Sequence, residues 1–156
     1  MRASVLTVSD GVSAGTRRDE SGPAVCDLLS SAGFEVDHHV VADEADEIER
    51  LLRKLATESE LVVTTGGTGF GPRDVTPEAT RAVIEREAPG FAEAMRAAGR
   101  SSTPNADLSR AVAGICGSAV IVNLPGSPKG ATESLQAILG ILPHAIGHLR
   151  GRSEHR

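Results

Sequence analysis

The sequence predicts an α/β fold, a three-layer sandwich whose mostly parallel central sheet is covered by helices on both faces. Two observations carry this expectation. Apolar runs of strand length at residues 2–8, 36–41 and 61–65 alternate with two segments of helical spacing, and that order calls for right-handed crossovers between parallel strands. The chain has 156 residues, enough for one domain that buries about two thirds of the surface its unfolded form exposes. Residues 1–150 are expected to form that domain and residues 151–156 a frayed tail.

Residues 2–8 read as a buried strand and residues 9–20 as a polar loop. Ala24, Val25, Leu28 and Leu29 recur at helical spacing over residues 21–32, and Gly33 stops that helix. After the second strand, Asp43 stands where a helix cap belongs, ahead of Ile48, Leu51, Leu52 and Leu55 on one face. The third strand, 61–65, leads into a glycine loop. Two helices follow at 77–86 and 90–99, divided by Ala88 and Pro89, with Val83, Ile84, Phe91, Ala94 and Met95 on their apolar faces. Residues 108–116 and 118–122 read as a hairpin around Gly117. Residues 123–130 form a second loop, which leads into a helix at 131–142 and a short last helix at 143–150.

Composition narrows the function. The formal net charge is −5 and the basic residues are scattered, with late crowding only at Arg150, Arg152 and Arg156; nucleic acid is not the expected partner. Cys26 and Cys116 lie far apart without metal-ligand spacing and read as small buried hydrophobes in a reducing compartment. No apolar run approaches the length of a membrane span, and the N-terminal one is too short for a signal peptide, so a soluble, cytoplasmic protein without membrane contact is expected. With three Phe, no Trp and no Tyr, a bound heterocycle is held mainly by backbone and aliphatic contacts.

The most informative stretch is Thr64-Thr65-Gly66-Gly67-Thr68-Gly69-Phe70-Gly71-Pro72-Arg73-Asp74-Val75-Thr76-Pro77-Glu78. Glycines at 66, 67, 69 and 71 let the chain take positive φ and turn several N–H groups toward an anion. Thr76 suits a helix cap, Pro77 a first helical turn, and Glu78 the positive helix end. A carboxylate beside such a phosphate cradle repels the ligand unless a cation lies between them, so Asp74 suggests bound Mg²⁺. Asp74 has two other readings, bonding loop amides or pairing with Arg73. Ligands of open α/β sheets sit outside the carboxyl ends of the strands, where residues 9–22, 66–76 and 123–130 converge with Asp43 on one rim.

Taken together, five segments resemble the molybdopterin adenylyltransferase family of molybdenum cofactor biosynthesis, the MogA and MoaB type also found as the gephyrin G domain. They are Thr7-Val8-Ser9-Asp10, the run from Thr64 to Glu78, Pro89-Gly90-Phe91 with Glu93 to Arg96, Leu108-Ser109-Arg110, and Asn123-Leu124-Pro125-Gly126-Ser127-Pro128-Lys129. The resemblance implies a single α/β domain that assembles as a trimer or, in some MoaB types, a hexamer. It implies transfer of AMP from ATP to the terminal phosphate of molybdopterin, with pyrophosphate leaving and a MoeA-type partner using the product. By the same resemblance Asp43 and Asp74 are the catalytic and metal-holding carboxylates, although Asp43 also reads as a helix cap. Thr7, Ser9, Asp10, Gly66, Gly67, Thr68, Gly69, Arg73, Ser109, Arg110, Asn123, Pro125, Gly126, Ser127 and Lys129 are the implied substrate contacts. Arg73 also reads as a partner of Asp74 or of a helix neighbour, and Lys129 as a solvated lysine.

His38 and His39 lack partners at ligand spacing and read as structural or exposed; His144 and His148, four apart without a third ligand, read as helix-face histidines. The run Ile138-Leu139-Gly140-Ile141-Leu142 serves as core, interface, or half of each. Two other functions stand beside adenylyl transfer: a non-catalytic molybdopterin-binding or scaffold protein of the same fold, and a hydrolase of nucleotide pyrophosphates.

Overall fold

The computed structural model describes residues 1–151. Strand β1 (Arg2–Val8) is followed by a one-turn helix α1 (Asp10–Ser13) and then by α2 (Ser21–Ser31). Strand β2 (Glu35–Val41), α3 (Ala45–Glu58) and β3 (Leu61–Thr65) complete the alternation. Next come α4 (Thr76–Val83), a two-residue strand β4 (Arg86–Glu87) and α5 (Pro89–Arg100). A 3₁₀ turn (Pro104–Leu108), β5 (Ala113–Cys116), β6 (Ala119–Leu124), α6 (Pro128–Leu139) and α7 (Leu142–Leu149) close the described chain.

The six strands form one sheet in the order β2-β1-β3-β6-β5-β4. The first four are mutually parallel, while β5 and β4 add on antiparallel. Side chains alternate across a strand, and the sequence uses both faces. Val5, Val63, Val120 and Val122 pack with Val25 and Leu29 of α2, Met95 of α5 and Leu135 and Ile138 of α6. Leu6, Val62 and Ile121 turn the other way, onto Ile48, Leu52 and Leu55 of α3 and Val83 of α4. Each such fully buried aliphatic side chain contributes about 1.5–3 kcal/mol. The sheet is thus the middle of three layers, and β3, buried at every position, is an apolar run because both of its faces are covered.

Several boundaries differ from the sequence reading. The loop at 9–20 holds the turn of helix α1 because Ser9 Oγ caps Val12 N at 3.2 Å. The helix expected at 77–86 ends at Val83: Ile84 is extended, and Glu85 N and Ala88 N donate to Ile115 O and Ala113 O, both at 2.8 Å. This edge strand approaches so closely that a Cβ on Gly114 would meet Arg86 O at 2.6 Å. The expected strand at 108–116 begins only at Ala113, since Arg110 N is taken by Thr68 O and Val112 N by Asn123 Oδ1. Asn123 lies inside β6 instead of the following loop.

Neither expected cap forms. Thr76 is inside α4 and donates to Gly66 O at 2.9 Å, while Asp43 leaves the α3 N-terminus without a side-chain cap. The last helix break falls at Gly140 and Ile141, so Ile138 and Leu142 are buried while Ile141 is 52% exposed. Both cysteines are free and half-buried, less enclosed than expected; burial pushes the Cys26 thiol up to about 11. Of the expected tail at 151–156, Gly151 is an exposed turn residue and the rest lies outside the described residues.

Candidate active site

Four strand ends meet at the carboxyl edge of the sheet. After β3 the chain turns through Gly66 and Gly67, at φ 96° and 71°. Both positions exclude a side chain on contact grounds as well, since a Cβ on Gly66 would run into Val8 O and one on Gly67 into Thr76 Oγ1. Gly66 N is bonded to Leu124 O and Thr76 N to Gly67 O. Among the described residues, the N–H groups of Gly67, Thr68 and Gly69 have no protein acceptor. Amides left in this state at a half-buried turn form a receptor for an anion.

Asp74 closes the loop from below. Its Oδ2 accepts from Gly71 N at 2.9 Å, so bonding a loop amide is one of its roles. The same oxygen lies 2.9 Å from the positions that side chains on Gly69 and Gly71 would take, which is why the chain folds around it with glycine. Arg73 does not pair with Asp74. Its guanidinium reaches Asp10 through Nε at 3.1 Å and Nη2 at 3.0 Å, and Glu44 at 2.9 Å.

Asp10 and Asp43 form a reciprocal clamp between the ends of β1 and β2. Asp10 N donates to Asp43 Oδ2 at 2.9 Å, and Asp43 N donates to Asp10 Oδ1 at 3.0 Å. Their electrostatics diverge. The Arg73 guanidinium, helped by the Asp43 amide, holds the Asp10 carboxyl below the usual aspartate range. Burial first, then the Asp10 and Asp74 charges, push Asp43 up.

Two cavities open on these elements. The larger, about 530 Å³, is walled by Ala92, Met95, Ala106, Leu108 and Ala111, with Arg96, Lys129, Glu133, Ser109 and Ser127 among its polar contributors. The smaller, about 380 Å³, is lined by Thr7, Ser9, Asp43 and Thr65 and by the loop residues Arg17, Arg18, Asp19 and Glu20. Gly67, Asp74 and Gly126 line both. A Cβ on Gly126 would sit 3.3 Å from Gly66 Cα, so the two loops touch where the cavities join.

Most of the expected site residues therefore come together. Thr7, Ser9, Asp43 and Gly66 line the smaller cavity; Thr68, Gly69, Ser109, Pro125, Ser127 and Lys129 the larger; Gly67, Asp74 and Gly126 both. Thr7 is only 3% exposed and its hydroxyl is bonded to Asp19 at 2.7 Å, while Ser127 Oγ caps α6 through Gly130 N at 3.0 Å.

Asp10, Arg73, Arg110 and Asn123 line neither of the two cavities. Asn123 is fully buried, its amide donating to Thr64 and Thr80 hydroxyls and its Oδ1 accepting from Val112 N; it locks β6 to β3 and α4. Arg110 straps the glycine loop, donating to Gly69 O at 2.8 Å, Asp74 O at 2.7 Å and the Glu78 carboxylate at 2.8 Å, and it holds Glu78 below its usual range. A guanidinium with these bonds made has its donors committed to protein.

Sequence reasoning did not select Arg17, Arg18 or the α5 wall as site residues, although the basic pair stands in the loop after the first strand. His38, read from the sequence as structural or exposed, has its Nε2 2.8 Å from Thr7 Oγ1 and 3.2 Å from Asp19. His144 and His148 meet edge to face on the exposed side of α7, Nε2 to Nε2 at 3.0 Å. Among the described residues no group of three His, Cys, Asp or Glu side chains is arranged to hold a metal ion, and no helix is long and apolar enough to cross a membrane.

Residues 4–144 match the family model "Probable molybdopterin binding domain". The chain belongs to this family. A relative in this molybdopterin-binding family, the molybdopterin adenylyltransferase of Helicobacter pylori strain J99, is 43% identical over 94% of this chain and 86% of its own length. Gephyrin of Dictyostelium discoideum is 38% identical over 95% of this chain, which spans 22% of that longer protein. Among solved structures, the molybdopterin biosynthesis enzyme MoaB of Thermus thermophilus superposes with a TM-score of 0.91 at 49% identity, covering 96% of each chain. The expected family and its mostly parallel α/β fold are thus borne out.

Proposed function

We propose that this chain is a molybdopterin adenylyltransferase that moves AMP from ATP onto the terminal phosphate of molybdopterin and releases pyrophosphate. The observation that carries this reading is the pair of cavities joined at Gly67, Asp74 and Gly126. A transfer between two bulky phosphate esters needs two binding spaces with one point of contact. The larger cavity, mostly apolar with a few polar groups and no aromatic side chain in its lining, would hold the pterin by aliphatic and backbone contacts, and the polar, charged one suits the nucleotide. The adenylyltransferase relative at 43% identity supports the same assignment.

The reaction joins like charges. An oxygen of the pterin phosphate forms a bond to the α-phosphorus of ATP as the bond from that phosphorus to the bridging oxygen breaks, its electron pair leaving on pyrophosphate. No proton transfer to protein is required, so the site acts by positioning and charge neutralisation. The amides of Gly67, Thr68 and Gly69 receive phosphoryl oxygens at the junction, and Lys129 draws the pterin phosphate to it. Gly66 and Gly126 let the two loops touch, while Thr7, Ser9, Ser109, Pro125 and Ser127 shape the walls. Asp10, Arg73 and Arg110 act from outside by holding the loops, and Asn123 by locking β6 to β3 and α4.

The carboxylates fit Mg²⁺. Hydrogen bonds engage Asp43 Oδ2 and Asp74 Oδ2, which leaves each residue one oxygen for a cation, and Mg²⁺ is commonly held by one or two carboxylates together with substrate phosphates and water. When bound, Mg²⁺ neutralises charge that builds on the phosphates. Residues 1–150 act as one molybdopterin-binding unit, in a cytoplasmic homotrimer or hexamer that hands its product to a MoeA-type partner. Incubation with ATP, Mg²⁺ and molybdopterin should yield adenylylated pterin and pyrophosphate in equal amounts. Pterin binding without either product, where an active relative forms both, would reduce the chain to a binding protein.

A further inference from the structure

We infer that Arg17 and Arg18 form a polyphosphate subsite that takes the β- and γ-phosphates of ATP and the departing pyrophosphate. The inference rests on the adenylyl-transfer reading and extends it to residues outside the assigned site. Both arginines are exposed and line the smaller cavity only. They contrast with Arg73 and Arg110, which spend their donors on carboxylates and carbonyls of the protein. Among the described residues neither Arg17 nor Arg18 has an ion-pair partner.

The loop that carries them is held at both ends. Gly11 O accepts from Thr16 N at 2.9 Å, Arg17 N at 3.1 Å and Thr16 Oγ1 at 3.2 Å. Asp19 accepts from Thr7 Oγ1 at 2.7 Å and Gly22 N at 2.9 Å, with His38 beside it at 3.2 Å. Gly22 must lack a side chain for that anchor to close, because a Cβ there would meet Asp19 Oδ2 at 2.6 Å. Arg17 and Arg18 lie between these anchors, so their backbone is positioned over the cavity before ligand arrives.

Geometry selects the ligand. The attacking phosphate comes from the larger cavity, so the α-phosphorus sits at the junction. In phosphoryl-type transfer the attacking and leaving oxygens lie roughly in line. Pyrophosphate therefore departs away from the larger cavity and into the smaller one, whose other charged residues, Asp19, Glu20, Asp43 and Asp74, are all carboxylates. Guanidinium groups bind such phosphates through paired hydrogen bonds.

Calorimetric titration of the full chain with ATP, AMP and pyrophosphate in Mg²⁺ buffer tests this. The Arg17→Gln/Arg18→Gln double variant should bind ATP at least about tenfold more weakly, lose pyrophosphate binding and keep its AMP affinity. The Arg17→Lys/Arg18→Lys variant should recover part of the ATP affinity. Retained AMP binding also reports that the variant is folded. An ATP-to-AMP affinity ratio that the Gln double variant leaves unchanged overturns the subsite alone. A wild-type chain that binds neither nucleotide overturns adenylyl transfer and the subsite together.

Discussion

The two cavities share three residues and little else. The larger is shaped by side chains from regular structure, Ala92 and Met95 of α5 and Ala106 and Leu108 of the 3₁₀ turn, with Lys129 on α6. The smaller takes most of its character from the loop after β1, whose carboxylates and arginines face the ends of β1, β2 and β3. On the assignment proposed above, the pterin meets a mostly apolar wall set with the helix charges Arg96, Lys129 and Glu133, and the nucleotide meets the charges of a loop. Gly67, Asp74 and Gly126 belong to both, and under the proposed function the transfer takes place where they meet.

The largest effect should come from that shared point. Asp74→Asn keeps an oxygen for the Gly71 amide but removes the negative charge, so turnover should fall by about 10³-fold. Pterin and nucleotide binding should survive. A thermal midpoint that drops in parallel with activity would mean that the carboxylate serves the loop alone. Steady-state product formation and a melting curve on the same preparation decide between the two.

Next in size is a test of the difference itself. Lys129 contributes only to the larger cavity, so Lys129→Gln should raise KM for molybdopterin about tenfold and leave KM for ATP unchanged. Equal changes in both would erase the division of labour. Arg73→Gln should have a weaker effect, on the smaller cavity only. It frees Asp10 from one side of the clamp and leaves Asp43 less well placed, so kcat should fall several-fold and half-activation should require more Mg²⁺. Because Arg73 and its partners are exposed, the melting temperature should barely move.

How much of this was legible in the chain depends on how local each feature is. The parallel strands could be read because burial on both faces demands uninterrupted apolar runs, as in Leu61, Val62 and Val63. Strand β4 could not, since Arg86 and Glu87 carry no apolar pattern and pair with β5 only because Gly114 lets the edge approach. Asn123 looked like a loop residue beside Pro125 and Gly126. Its burial follows from Thr64 and Thr80, which are 59 and 43 residues away.

The site divides in the same way. Asp43 was visible as a carboxylate just past a strand end and Asp74 as one beside the glycine loop. The partners of Arg73 and Arg110 were not, because Asp10 lies 63 residues from Arg73 and Glu78 lies 32 from Arg110. A charge on a loop can be read as a phosphate contact from sequence, but only the fold shows whether another residue has already claimed it. Arg17 and Arg18 show the converse. Their chemistry was plain, and their position depended on a turn through Gly15 at φ 75° that local composition does not specify.

The smallest effect separates the two halves of the clamp by sign. Asp10 has its pKa lowered in the fold from an ordinary 3.8, chiefly by Arg73. Its stabilising contribution is therefore complete above 3.8 and is lost as pH falls through the folded value below it. Asp43 is raised, chiefly by burial. Its charged form costs stability above the raised value, and that cost fades as pH falls through it toward 3.8. Asp10→Asn should therefore lower the melting temperature only slightly at neutral pH, the Asp10–Arg73 pair being exposed, with the deficit vanishing in acid. Asp43→Asn, whose amide oxygen still accepts from the Asp10 amide, should hold or raise it while abolishing turnover. Scanning calorimetry of both variants between about pH 3 and pH 7 reads the two signs. Shifts in the same direction at neutral pH would mean that Asp43 is held by the fold as a structural charge, and the smaller cavity would lose its best claim to a residue kept for chemistry at some expense to stability.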